Sequence, residues 1–244
     1  QELAYGLKDS GAKLLIADAE RLDRIAPHLA ELDALQAMLI SRSQGELGHG
    51  AKALEDVIGA PPAYAELAPA ELPPVEIAPD DAATIFYTSG TTGNPKGALG
   101  SHRNMTTNIM TTAYAGVRSS LRRGEAPPAP EPAVMLTVIP LFHVTACSAG
   151  MTGVMFAGST LVFMHKWDAT RALEIIEREK VTATGGVPTI AWQLIEHPER
   201  DKYDLSSLKS ISYGGAPSAP ELVRKIREVF GALPGNGWGM TETM

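Results

Sequence analysis

Short apolar runs alternate with stretches of helical periodicity along most of this 244-residue chain, and that alternation limits the fold more than any other feature. Strands separated by helix-length segments cannot pair as tight hairpins. They pair in parallel, with the intervening helices covering the sheet. Lys13-Leu14-Leu15-Ile16-Ala17 reads as a buried strand, and Asp18 can cap a helix whose Leu22, Ile25 and Leu29 share a face. Met38-Leu39-Ile40 and Thr84-Ile85-Phe86-Tyr87 read as further strands, and Ser101 caps a helix from 102 to about 115. Then follow a strand over 134–139, a helix over 145–157 and a strand over 160–164. Asp168 caps a helix with Leu173 and Ile176 facing the core, and Val181-Thr182-Ala183-Thr184 returns as a strand. Pro188 starts a helix over 189–196, and Ser210-Ile211-Ser212-Tyr213 is a strand. Ser218 and Glu221 have capping-box spacing ahead of Leu222, Ile226, Val229 and Phe230, and Gly231 stops that helix. The expected class is α/β, mostly parallel sheets flanked by helices, with no internal repeat.

Residues 60–79 are rich in Pro, Ala and Glu, which is linker composition, so the division falls there: a partial βαβ subdomain with its Pro-rich linker over 1–79, and a second α/β subdomain over 80–244. Residues 119–133 read as a second soft, mobile surface segment. With 21 Lys and Arg against 28 Asp and Glu, the net charge of −7 argues against a nucleic-acid or basic membrane-surface binder. A single cysteine, Cys147, excludes an internal disulfide framework and fits a reducing cytoplasm. Residues 132–165 carry no formal charge, yet Pro140, Gly150, Gly153 and Gly158 interrupt them, so strand, helix, strand is expected there in place of a membrane span. The chain opens on Gln1 with no signal-peptide pattern and stops at Met244 inside a motif-like segment, so a piece of a longer protein is expected.

The chemistry is concentrated in Tyr87-Thr88-Ser89-Gly90-Thr91-Thr92-Gly93-Asn94-Pro95-Lys96-Gly97, directly after a strand. Gly90, Gly93 and Gly97 allow tight turns that bring backbone N–H groups close to an anion. Thr88, Ser89, Thr91 and Thr92 add hydroxyl donors, and Lys96 adds a point charge suited to a phosphate. A polyphosphate is the natural guest. Pro95 before Lys96 and Gly97 after it depart from the Walker A pattern, which disfavours a plain kinase or NTPase. A bare Gly/Thr run would serve equally as a surface turn; the full eleven-residue string is more specific.

That string resembles the phosphate-binding signature of the adenylate-forming superfamily of acyl-CoA synthetases, luciferases and peptide-synthetase adenylation domains. Gly100-Ser101-His102-Arg103-Asn104 is similar to the acyl-CoA synthetase continuation. Three further segments agree in order. Pro140-Leu141-Phe142-His143-Val144 resembles the segment bordering the carboxylate pocket. Tyr213-Gly214-Gly215-Ala216-Pro217 resembles the strand end along the adenine, and Asn236-Gly237-Trp238-Gly239-Met240-Thr241-Glu242-Thr243 resembles the aromatic-Gly-x-Thr-Glu motif, with Trp where many relatives have Tyr. The opening 2–18 also looks like the family segment before its second strand.

The resemblance implies part of the large N-terminal domain of an acyl-CoA synthetase-like fold, using ATP, Mg²⁺ and coenzyme A to convert a carboxylic acid to acyl-AMP and then to a thioester. It gives the polyphosphate to Thr88, Ser89, Gly90, Thr91, Thr92, Gly93 and Lys96. Adenine goes to Gly214, Gly215, Ala216, Pro217 and Trp238, with Gly239 among the cofactor-binding residues, a phosphate contact to Thr241, and Mg²⁺ to Thr88 and Glu242. His143 borders the carboxylate, Gly186, Val187 and Thr189 line the acyl pocket, and His143, Lys96 and Glu242 are the catalytic candidates. An α-ammonium substrate needs a carboxylate partner, and neither His143 nor the Val144-Thr145-Ala146-Cys147-Ser148 run provides one, which points to a fatty or aryl acid. Cys147 stands where some long-chain synthetases have a Trp gate and is a packed side chain before it is a nucleophile. The family's ribose-binding Asp, hinge, C-terminal domain and lysine lie beyond Met244, so the isolated chain is expected neither to adenylate nor to thioesterify. An adenylation domain for another acid or acceptor, a non-catalytic ATP-binding module, and a homodimer stay open.

Overall fold

The computed structural model describes residues 1–90, 93–126 and 131–243. The chain forms two compact units: residues 1–77 with 87–98, and residues 78–86 with 99–244. The Gly/Thr segment therefore groups with the first unit, whereas its place in the sequence put it in the second.

In the first unit, helix α1 (Glu2–Ser10) ends at Gly11, whose φ of 63° closes the helix in the left-handed region. Strand β1 (Leu14–Asp18) leads into α2 (Ala19–Ile25), where the Asp18 carboxylate accepts the Arg21 N–H at 3.0 Å. That bond and the adjacent Arg21 guanidinium hold the Asp18 carboxyl below its ordinary range; a cap of this kind contributes about 1 kcal/mol. Strands β2 (Ala37–Ser41) and β3 (Lys52–Ala53) extend a three-stranded sheet in the order β1-β2-β3, with both pairs parallel. A short α3 (Glu55–Ile58) follows, then a 3₁₀ turn at Pro61–Glu66, and residues 67–78 carry no regular structure. The prolines there supply no ladder donor, and every residue of the stretch is exposed.

Strands β4 (Ala82–Thr88) and β5 (Lys96–Ser101) form a separate two-stranded sheet. Helix α4 (His102–Arg122) begins with a full capping box between Ser101 and Asn104. Its start is also tied to the chain ahead of β4: Arg103 donates to both Asp80 carboxylate oxygens at 2.6 and 2.9 Å. The helix runs seven residues past the expected end at 115 and takes up the first part of the segment read as soft. No proline interrupts it, and the first effective stop is Gly124 at φ 74°.

The second unit is built on a five-stranded, all-parallel sheet. Its strands are β6 (Val134–Thr137), β7 (Thr160–Phe163), β8 (Ala183–Gly186), β9 (Ser210–Gly214) and β10 (Leu233–Gly237). Between β6 and β7 lie a π-helical segment, Thr145–Met151, and helix α5 (Thr152–Phe156). Helices α6 (Ala169–Glu179), α7 (Pro188–Ile195) and α8 (Pro220–Phe230) connect the later strands. The spatial order β10-β9-β8-β6-β7 is the doubly wound 2-1-3-4-5 arrangement. Right-handed crossovers put α5 on one face and α6, α7 and α8 on the other. The core agrees: Leu136, Leu173, Ile176, Leu194, Ile211, Tyr213, Leu222 and Ile226 bury together between the strands and those three helices.

Several local readings shift. The helix over 145–157 starts as π-helix. The strand expected over 181–184 occupies 183–186, because Lys180 turns left-handed (φ 51°) and the Val181 N–H caps the Ile176 carbonyl. The Ser218–Glu221 capping box does not form. Helix α8 starts at Pro220, whose fixed φ sets the first turn with Ala219 as the uncapped entry, and Glu221 pairs with Arg224. Asp168 and Gly231 do terminate helices as expected.

One buried polar atom stands out on the α5 side of β6. Thr137 Oγ1 has no hydrogen-bond partner among the described residues, whereas Thr184 Oγ1 donates to the Leu136 carbonyl at 3.1 Å. Thr137→Val removes the orphan hydroxyl at nearly constant volume. It is expected to leave stability unchanged or raise it by about 1 kcal/mol in urea unfolding; a loss of that size would mean the hydroxyl has a partner.

Candidate functional site

The order 2-1-3-4-5 has a topological switch point between β6 and β8, because the chain leaves β6 toward one side of the sheet and β8 toward the other. Open α/β sheets bind ligands outside the carboxyl ends of strands at such a point. His143 lies on the segment leaving β6, and Gly186, Val187 and Thr189 lie where β8 passes into α7. Gly214, Gly215, Ala216 and Pro217 leave β9; Trp238, Gly239, Thr241 and Glu242 leave β10. Four segments nominated separately by sequence thus leave the same edge of one sheet.

Close backbone approach holds this edge together. A Cβ on Gly185 would sit 2.3 Å from the Ser212 carbonyl oxygen, and one on Gly214 would sit 2.5 Å from the Gly237 carbonyl oxygen. Gly186 is crowded by Ile190 and Val138, and a Cβ on Gly215 would lie 3.9 Å from Val187 Cγ1, so the β8 and β9 ends are neighbours. The apolar side chains on this edge face solvent. Phe142 and Trp238 are each 83% exposed, and Val187 and Met240 are exposed as well. Large exposed aromatics beside convergent polar groups are the profile of a ligand surface.

The polar groups are oriented locally. His143 Nδ1 accepts the Thr145 backbone N–H at 3.2 Å. A nitrogen that accepts leaves the ring proton on Nε2, where it can be donated to a carboxylate. Thr241–Thr243 form one 3₁₀ turn, and Thr243 Oγ1 accepts the Met240 N–H at 3.1 Å. Glu242 is exposed and has no ion-pair partner among the described residues. No group of three or more His, Cys, Asp or Glu side chains gathers among the described residues. A lone carboxylate with nearby hydroxyls suits an Mg²⁺ whose other ligands come from substrate phosphates and water.

The Gly/Thr loop belongs to the first unit. Thr88 ends β4 and Lys96 begins β5, and Thr88 Oγ1 approaches the Lys96 carbonyl at 3.5 Å, at the limit of a hydrogen bond. Gly90 and Gly93 have φ of 63° and 83°, values that suit glycine. Ser89 and Lys96 are exposed, and Lys96 forms no ion pair among the described residues. Thr91 and Thr92 lie outside the described residues.

Sequence reasoning missed a contact at the root of this loop. The Tyr87 hydroxyl donates to Asp9 Oδ2 at 2.7 Å and lies 3.3 Å from the Gly6 carbonyl. Burial and the Asp9 carboxylate push the phenol up to about 12, so it stays a donor throughout the neutral range. Helix α1 and strand β10 were also missed. The i, i+4 pair Leu3 and Leu7 ahead of the helix-ending Gly11 was the available signal for the first, but nothing local signals a strand in Leu233-Pro234-Gly235-Asn236-Gly237.

No helix among the described residues is long and apolar enough to cross a membrane. A family model described as "AMP-binding enzyme" matches residues 1–244. "4-coumarate--CoA ligase 1" from Petroselinum crispum is 33% identical over 242 residues, covering 99% of this chain and 41% of that protein. Among solved structures, the N-terminal domain of FACL13 from Mycobacterium tuberculosis superposes with a TM-score of 0.76 at 27% identity, covering 99% of this chain and 54% of that one. The anthranilate CoA ligase AuaEII in complex with anthranoyl-AMP superposes at 0.80 with 21% identity, covering 99% and 43%, a likeness of fold. The chain spans about two fifths of the length of the curated relatives it matches.

Proposed function

Because the chain belongs to the AMP-binding enzyme family, we propose that it carries the nucleotide- and acid-handling segments of an ATP-dependent carboxylate–CoA ligase. The observation that carries this reading is the convergence of the His143, Gly186, Gly214 and Glu242 segments on one carboxyl edge of a parallel sheet. The eleven-residue loop supplies the complementary polyphosphate chemistry.

The reaction explains why such groups are needed. A carboxylate is a poor electrophile. Its oxygen attacks the α-phosphorus of ATP, the bond to the β-phosphate oxygen breaks, and acyl-AMP and pyrophosphate form. The thiol of coenzyme A then adds to the acyl carbonyl and AMP leaves, yielding the thioester and releasing the thiol proton. The protein's part is positioning and charge neutralisation. Backbone N–H groups, Ser89 and Lys96 hold the β- and γ-phosphates, Trp238 and residues 214–217 receive the adenine, and Thr241 donates to a phosphate. His143 donates from Nε2 to the acid carboxylate and orients it. Thr88 and Glu242 are the proposed Mg²⁺ ligands, and the ion, when bound, neutralises phosphate charge.

The substrate is an acid without an α-ammonium group, since Phe142-His143-Val144 offers no carboxylate to pair with one. Aromatic acids take precedence over fatty acids, because the curated relatives bear the name 4-coumarate–CoA ligase and the edge exposes aromatic rings. A reducing, cytoplasmic location is part of the same proposal.

The test is AMP release by the full reading frame that contains this chain, with ATP, Mg²⁺, coenzyme A and a panel of aromatic, fatty and amino acids. Acid-dependent AMP with aromatic acids is the expected result. A preference for fatty acids would overturn the substrate class alone, and a preference for amino acids would make this a peptide-synthetase-type adenylation segment. ATP binding with no AMP from any acid would make it a binding module.

A further inference from the structure

We propose that Asp9 and Tyr87 are positioning residues for the polyphosphate loop, tying its first strand end to helix α1. The inference rests on the reading of residues 88–97 as that loop. Tyr87 is the last residue before Thr88, and its hydroxyl donates to Asp9 Oδ2 at 2.7 Å. The ring is also gripped: Tyr5 meets it edge to face, with centroids 6.3 Å apart and planes at 80°. Tyr5 and Asp9 stand one helical turn apart on α1, so a single helix face fixes both the ring and the hydroxyl of Tyr87.

The reason for such an anchor is the loop's composition. Gly90, Gly93 and Gly97 leave the backbone many conformations, and a loop that must be ordered around a ligand loses affinity by the entropy it gives up. Thr88 at one end lies against the Lys96 carbonyl at the other. Fixing Tyr87 therefore restrains the strand end from which the loop departs. A phenylalanine at 87 would satisfy the packing with Tyr5; only the hydroxyl requires Asp9. Neither residue is assigned contact with the nucleotide, and both act through the loop.

The test compares ATP and AMP binding by titration calorimetry with Mg²⁺, using the full reading frame that contains the chain. Tyr87→Phe and Asp9→Ala are each expected to weaken ATP binding about 5–10-fold, the effect of one charge-assisted hydrogen bond. The double variant should be no weaker than the singles, since the two remove the same bond. Asp9→Asn keeps an acceptor oxygen and should restore most of the affinity. AMP, which lacks the phosphates the loop would hold, should bind all variants within about twofold of the parent. General loss of structure would weaken AMP and ATP together, and that result would overturn the proposal. So would unchanged ATP affinity in the single variants, or additive losses in the double. A parent protein that binds AMP but discriminates nothing by the extra phosphates would instead remove the loop reading itself, and this proposal with it.

Discussion

Lys96→Ala is expected to lower acid-dependent AMP release by the full reading frame roughly 10²–10³-fold, the scale of losing one preorganised group that meets developing charge. The side chain is exposed, stands at the start of β5 directly after the Gly/Thr loop, and forms no ion pair among the described residues. Its charge is therefore not consumed by a structural partner, and little folding energy depends on it. Lys96→Arg should recover only part of the rate, because a planar fork does not reproduce a compact ammonium at a loop built around close backbone approach. Arg224→Ala is the matching control. It also removes one exposed cation, but one paired with Glu221 and Glu228 on helix α8, and the rate should stay within about twofold of the parent. If Lys96→Ala behaves like Arg224→Ala, the polyphosphate role of the loop fails.

Gly185→Ala is expected to destabilise the protein by about 3 kcal/mol, read as a fall in the urea midpoint at constant slope. Strand β8 lies between β6 and β9, and the added Cβ would meet the Ser212 carbonyl oxygen at 2.3 Å, with the carbonyl carbon at 3.1 Å. These are backbone atoms of a paired strand, so relief requires the ladder to move. Gly235→Ala makes a useful contrast, since its Cβ would meet the Ser212 hydroxyl at 2.6 Å and that group can rotate away. Gly237→Ala meets nothing within 4 Å and should change stability by no more than about 0.5 kcal/mol. Equal effects at 185 and 237 would mean that β8 and β9 do not approach as closely as described.

What could be read from the residues was mostly what acts over a few positions. Asp18, Ser101 and Asp168 cap helices because a short oxygen-bearing side chain reaches an N–H three residues on. Gly231 ends α8 because a left-handed residue is needed there. Some of the readings that failed were also local. Ser218 has capping spacing, but Pro220 starts the helix two residues later. Helix α4 outran its expected end because polar composition weakens a helix without stopping it.

The sequence by itself determined the class and the parallel pairing implied by helix-length connections, and it nominated the motifs whose chemistry is proposed. The tertiary structure alone decided that strands β6 to β10 stand in the order 2-1-3-4-5, which brings segments from 140 to 242 to one carboxyl edge. It also decided that Gly185 must lack a side chain because of Ser212, and that Tyr87 finds its acceptor 78 residues away in Asp9. Caps and turns are short-range, so their partners are written beside them. Strand order and contacts between distant segments depend on how whole elements share one buried core, and no local pattern of residues records that choice.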